Sequence, residues 1–261
     1  MSHYYEIEGK KLPSVTQIIG DCTNNSAPLI QWGANQVVEY MRQNLCPDES
    51  CPYTSKEIFE RLDKARFHFK DVSQTALDVG SEVHGMVEKY LSQHLDLGII
   101  FDCAELVSEK SEQAVNAFNA FLDWEKEHNL KPIALEQTVY GNGWAGTLDF
   151  LGYFDDKLFV IDWKSSKAHY KEMDYQVAAY RSAIEENEND KVTGRELWAD
   201  NYPIPIPDGC GVLRLDKETG LPEWHDSSKT YESDLAVFNA MVNLYMLRHP
   251  KIRKASQWKN F

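Results

Sequence analysis

Residues 136–180 read EQTVYGNGWAGTLDFLGYFDDKLFVIDWKSSKAHYKEMDYQVAAY, and this stretch decides the fold. Residues 146–154 (GTLDFLGYF) and 158–164 (LFVIDWK) form two short strands joined by Asp155, Asp156 and Lys157. Asp162 and Lys164 stand two residues apart and share a face. If Asp155-Asp156 is the hairpin loop, Asp149 lies directly opposite Asp162, and two carboxylates and an ammonium converge on one patch. A three-residue loop without a bulge opposes Asp149 to Trp163 instead and separates the acids. Convergence is therefore conditional on register.

Such a patch is costly to build for stability alone. Like charges facing each other on a sheet repel, and buried acids demand partners. A divalent metal resolves both problems. Hard oxygen ligands hold magnesium or manganese, which polarise a phosphate and activate water. The competing reading is an exposed hairpin with scattered charges. Against it, both flanks are apolar. Leu148, Phe150 and Phe154 alternate with Leu151 and Tyr153, and Leu158, Val160 and Ile161 precede Asp162. A strand with two apolar faces belongs at the centre of its sheet.

These residues carry a resemblance to the PD-(D/E)XK nuclease superfamily. The chain is most similar to the RecB-like exonuclease branch, which includes the mitochondrial genome maintenance exonuclease and many phage exonucleases. The elements follow in order: Gly80 and His84 on a helix, Glu136 on a strand, Gly146 to Asp149 as G-x-x-D, Asp162 to Lys164 as D-x-K, and Gln176 to Tyr180 as Q-x-x-x-Y. A lone D-x-K is nearly worthless as a signal; five ordered elements are fairly specific. The resemblance covers residues 75–184, extends suggestively to PSVTQII near the start, and hardly reaches the last quarter.

The resemblance implies an α/β fold. A central mixed sheet is flanked by helices, as a restriction-endonuclease-like core with N-terminal helical additions. It implies that Asp149 and Asp162 hold one or two Mg2+ or Mn2+ ions, with His84 as a further ligand and the Trp163 carbonyl completing the shell. A lone helical histidine is otherwise more often a satisfied core or surface group, and an imidazole ligand tilts the site towards manganese. Glu136 is a further metal or water ligand, or else an edge charge. Lys164 orients the attacking water and stabilises developing negative charge. Gln176 and Tyr180 line the site near the substrate backbone. The implied reaction is hydrolysis of DNA phosphodiester bonds, from single-stranded or otherwise free ends. Two other readings stay open: a catalytically silent relative that binds nucleic acid or protein, and a nuclease acting on RNA or flaps. Some relatives carry a four-cysteine iron–sulfur cluster that closes with clustered cysteines beyond the D-x-K. Only Cys210 lies there, so no iron–sulfur cluster is expected.

Composition sets the frame. A chain of 261 residues, 43% hydrophobic and 12% aromatic, is globular and long enough for one large domain. Residues 1–261 read as a single nuclease domain. Within it, 1–74 are an N-terminal strand plus helical extension, and 75–261 are the core with a C-terminal hairpin and helix. No apolar run approaches the roughly eighteen residues of a membrane span, and the start is too polar for a secretory signal. Five cysteines without a C-x-x-C pair point to free thiols in a reducing cytoplasm, and the resemblance implies that of a bacterium or a phage-infected cell. The net charge of −14 is awkward for a partner of nucleic acid. Either no nucleic acid binds, or Lys164, Lys167, Lys171 and Arg181 around the motif offset the field locally.

Elsewhere the chain reads as follows. A hairpin turns at Gly9, and Ser14 or Thr16 caps the next turn. A helix starts at Pro28 with Trp32, Gln36, Val37, Tyr40 and Met41 as its stripe. A second, over 55–72, turns Ile58, Leu62, Ala65 and Phe69 inward. Its basic face of Arg61, Lys64, Arg66 and Lys70 is a solvated face or a strand-guiding surface. A third, over 75–95, has Val83, Val87, Tyr90 and Leu91 as its core stripe. A longer helix before residue 130 buries Ala114, Ala117, Phe118, Phe121 and Trp124. A strand at 133–140 precedes the acidic hairpin. After the helix that ends near Glu186 come an acidic loop, a Pro-rich segment and a hairpin turning at Thr219-Gly220. Arg214 on that hairpin contacts phosphate or is structural. A final amphipathic helix over 230–250 precedes a basic, frayed tail.

Overall fold

The computed structural model describes residues 4–23, 26–45, 53–95, 103–186 and 206–258. The turn expected at 46–52 and most of the acidic and Pro-rich loops lie outside the described residues. In order, the elements are β1 (Tyr4–Ile7), β2 (Lys10–Pro13), α1 (Val15–Thr23), α2 (Ser26–Asn44), α3 (Ser55–Ala65), α4 (His68–Ser92), α5 (Cys103–Leu106), α6 (Glu112–Glu127), β3 (Leu130–Gly141), β4 (Trp144–Phe154), β5 (Lys157–Lys164), α7 (Lys171–Glu186), β6 (Gly209–Leu215), β7 (Pro222–Asp226), α8 (Tyr231–Arg248) and α9 (Pro250–Ser256). They form two compact units. One is Met1–Thr23 with Glu82–Phe261, and the other is Asn24–Ser81.

The first unit is an α/β body on a five-stranded mixed sheet, in the order β3-β4-β5-β6-β7. All pairs are antiparallel except β5–β6, and α7 makes the crossover a parallel pair requires. The hairpin takes the converging register. Phe150 faces Ile161 and Phe154 faces Lys157, leaving only Asp155 and Asp156 in the turn. Their φ angles of 47° and 64° are the two left-handed residues that a type I′ turn demands. The preceding hairpin turns on Asn142-Gly143, between paired Gly141 and Trp144. This Asn-Gly is a hairpin signal in the sequence that marks where β4 begins, two residues ahead of the expected start.

Both faces of the sheet are covered, as the apolar flanks foretold. On one, Leu151, Leu158, Val160 and Val212 pack with Val177, Ala178 and Phe238 of α7 and α8. On the other, Phe121 and Trp124 of α6 meet Trp163 and Phe154, with ring centroids 5.4 and 5.2 Å apart. Strict alternation fails at one place. Trp144 meets Phe238, Gly146 receives the Tyr180 ring, and Leu148 joins the same cluster. Phe150, two residues on, faces Trp163 across the sheet. The face slips by one residue at Asp149. Opposite it, between the pairs Leu135–Phe150 and Gln137–Leu148, Glu136 has a left-handed φ of 47°. Pro132 lies inside β3, which is tolerated because β3 is an edge strand with a register shift there.

The N-terminal hairpin turns at Glu8-Gly9, and Ser14 rather than Thr16 caps α1, its Oγ accepting from Gln17 N–H at 3.0 Å. In the second unit the helix break differs from expectation. α3, closed by a Thr54–Glu57 capping box, ends at Ala65, and α4 then runs unbroken from His68. The Thr75 hydroxyl, at the expected start of a new helix, bonds back to the Asp71 carbonyl at 3.0 Å inside one continuous helix. Ile58 and Leu62 are exposed and Ala65 is buried. Apolar periodicity names a face without naming what covers it. The tail is not frayed as far as Trp258: Pro250 opens α9, and Ser256 is buried.

Candidate metal centre

Five elements, α4, β3, β4, β5 and α7, deliver the candidate residues. The slip at Asp149 and the kink at Glu136 bring two carboxylates from neighbouring strands together, and α4 lays His84 over them. The His84 Nδ1 lies 3.5 Å from Asp149 Oδ1 and 3.9 Å from Glu136 Oε1. One ligand atom from each of the three lies within 4.8 Å of the others. On the far side of the ring, Nε2 is 3.0 Å from the Trp163 carbonyl. A carbonyl only accepts, so Nε2 carries the proton and Nδ1 is turned to the acids. This is the orientation by a backbone partner that metal-ligating histidines show. The Trp163 carbonyl, expected as a ligand, is therefore engaged by His84, while Trp163 N–H donates to Asp149 Oδ2 at 2.8 Å.

Asp162 stands beside this trio in a separate set of contacts. It is fully buried and ion-paired with Lys164. Gln176 Nε2 donates to Asp162 Oδ1 and to Tyr180 Oη, each at 3.0 Å. Gly146 is required for this arrangement, since a Cβ there would lie 2.6 Å from the Tyr180 ring. Every expected site residue thus lies in one connected region. His84, Glu136 and buried Asp149 form one side of it, and the buried Asp162, Gln176 and Tyr180 form the other with half-buried Lys164.

The protonation pattern records crowded negative charge. Burial, then the nearby Asp149, raises Glu136 to about 7, and the same causes raise Asp162 to about 6. Burial works against a charged His84, but Asp149 outweighs it and raises the imidazole to about 9. Burial likewise opposes ionised Asp149, yet His84, Lys164 and the Trp163 N–H hold it below the usual range. Lys164 is held above its ordinary value, Asp162 and Asp149 outweighing its burial. A divalent cation fits this donor set of two carboxylates and one imidazole, in which it would take the place of the imidazole proton.

Of the other basic residues near the motif, Lys167 is exposed without an acidic partner among the described residues, and the rest are paired. Lys171 pairs with Asp174 and Asp234, and Arg181 with Glu185. Arg214 is structural. It binds Asp216 and Glu223 and clamps the Ser166 and Lys167 carbonyls that follow the motif lysine. Glu136 is the residue whose part the sequence left open, because its approach depends on a backbone kink that no residue type announces.

The family described as the PD-(D/E)XK nuclease superfamily matches residues 49–243, about three quarters of the chain. No curated protein matches it.

Proposed function

This chain belongs to the PD-(D/E)XK nuclease superfamily, and we propose that it is an Mg2+- or Mn2+-dependent DNA exonuclease working from single-stranded ends. The observation that carries this reading is the convergence of His84, Glu136 and Asp149 beside the buried Asp162–Lys164 pair. His84 through Nδ1, with the Glu136 and Asp149 carboxylates, would hold the ion, and Asp162 is the adjacent acid for a second. Such an ion supplies Lewis-acid stabilisation of phosphate charge and lowers the pKa of water. The chain's own groups do the rest. Lys164 stays protonated, so it acts as a fixed positive charge and hydrogen-bond donor to the scissile phosphate and the attacking water, not as a base. Asp162 holds that ammonium in place, and Gln176 and Tyr180 hold Asp162. The Trp163 backbone fixes the tautomer of His84 with its carbonyl and one oxygen of Asp149 with its N–H. A bacterial or phage cytoplasm, in DNA replication, recombination or repair, is the setting we infer. Among the described residues no helix is long and apolar enough to cross a membrane.

End-labelled linear and circular single-stranded DNA, with Mg2+, Mn2+ or EDTA and beside Asp149→Ala, tests the proposal. Metal-dependent loss of the linear strand, intact circles and an inactive variant are expected. Cleaved circles would make the enzyme an endonuclease. A folded, metal-loaded protein that cuts no DNA would overturn the reading.

A further inference from the structure

An exonuclease must hold a polyanion, and of the basic residues flanking the motif Lys171 and Arg181 are consumed by ion pairs, which leaves Lys167 as a single exposed cation. The basic face of α3 and α4 does not compensate, because Glu60, Asp63 and Asp71 line the groove that Lys64 and Phe67 share. One surface of the first unit differs. From Leu235 to Phe261 the sequence has no acid and five basic residues. Arg248 is tied to Asp21. Lys251, Arg253 and Lys254 of α9 are exposed, and none has an acidic partner among the described residues.

The end of α9 borders an open groove of about 620 Å³ lined by Pro250, Arg253, Lys254, Gln257 and Trp258, without an acid. Trp258 is fixed there by close packing. A Cβ on Gly143 would come within 2.5 Å of its Cδ1, and the Met246 methyl also crowds that position. α9 packs on β2, where Lys11 is exposed with its ammonium 4.6 Å from the Tyr4 ring centroid. Just past β2, Ser14 bridges to Ala145 on β4, the strand that carries Asp149. Cations and a packed indole thus lie on the body that also carries the site.

We propose that α9 and Trp258 seat the single-stranded end of the substrate, with Lys251, Arg253 and Lys254 on successive phosphates and Trp258 stacked on a base. The inference rests on the function proposed above. Single-stranded DNA fits best because its base faces are open to an aromatic platform, whereas a duplex hides them. Unpaired cations on an otherwise acidic chain give the charge complementarity.

The test is binding of fluorescein-labelled oligothymidine to the full chain in EDTA, followed by anisotropy at several salt concentrations. The triple variant K251A/R253A/K254A should bind about tenfold more weakly at low salt. Its log affinity against log salt slope should be shallower by about 2, as three lost phosphate contacts require on a single strand. Trp258→Ala should bind at least fivefold more weakly with an unchanged slope, while Trp258→Phe, which keeps a stacking ring, retains most of the affinity. Wild-type affinity and slope in both the triple variant and folded Trp258→Ala would overturn the inference. So would loss of binding to anionic vesicles with DNA binding intact, which would make α9 a membrane contact. Wild-type hydrolysis of bis-p-nitrophenyl phosphate with Mn2+ needs no strand. Its presence alongside unaltered variant binding would sink this surface alone. Its absence, together with no DNA binding, would sink the nuclease reading as well.

Discussion

At the scale of single residues, the site is a set of proton traps awaiting a cation. Glu136, Asp162 and His84 all have folded pKa values above their ordinary ones. Each such group adds stability at low pH that is lost as pH rises through its folded value. For the two acids the loss runs from about 4 to about 7, and for His84 from about 6.5 to about 9. We expect the melting temperature of metal-free protein to fall across this window, and Mn2+ to restore it. Manganese affinity should rise over the same window, because binding displaces those protons. Calorimetry at pH 6 and 8 reads this directly, and a pH-independent affinity would refute it. Gly146→Ala drives a methyl into the Tyr180 ring and should cost about 1–3 kcal/mol in urea unfolding. Glu136→Gly should do the opposite for stability, gaining about 1 kcal/mol by relieving its left-handed backbone, while weakening manganese binding. The D-x-K and Q-x-x-x-Y residues were singled out by the ordered motif of the resemblance, their spacing adding only that each pair shares a strand or helix face. The role of Glu136 was not legible, since it depends on a slip in β3 and β4 that spacing cannot reveal.

At the scale of elements, the acidic hairpin is the part the sequence determined best. Two aspartates between apolar strands admit a type I′ turn, and that turn alone puts Asp149 across from Asp162. Asp156 carries a φ of 64° and makes only a 3.9 Å contact with Lys131. Asp156→Gly should therefore stabilise the protein by about 1 kcal/mol without touching activity. Chemical denaturation with a parallel cleavage assay checks both halves, and a destabilised variant would show the turn to be something other than type I′. The break between the helices falls at residues 66–67 rather than the expected 73–74, and the Ser73-Gln74-Thr75 segment lies inside α4. Side-chain hydroxyls serve a helix start or a helix interior equally well, and only the backbone they bond to decides. α9 was misread for the reverse reason. A short basic segment has too little apolar periodicity to announce a helix, and its order comes from packing on β2.

At the scale of the whole chain, a net charge of −14 predicts feeble attachment to bulk duplex. Anisotropy with a blunt duplex should show affinity vanishing by physiological salt, while single strands stay bound; equal retention of both would contradict the single-strand reading. The α/β class was legible from the alternation of strand and helix patterns. The separate helical unit at Asn24–Ser81 was not, because contact density within a segment leaves no mark on composition. One feature of the first unit reaches into how the molecule is made. Gln17 donates to the Tyr245 hydroxyl across 228 positions, Arg248 holds Asp21, and α9 packs on β2. On a ribosome, β1 and β2 can pair with each other early, but the contacts of this N-terminal segment with α8 and α9 wait until the residues near 250 have emerged. The parallel neighbour of β5, β6, also arrives late. A nascent chain therefore carries every acid of the site before β6 can complete the sheet beneath them, so cleavage is expected to appear only late in synthesis.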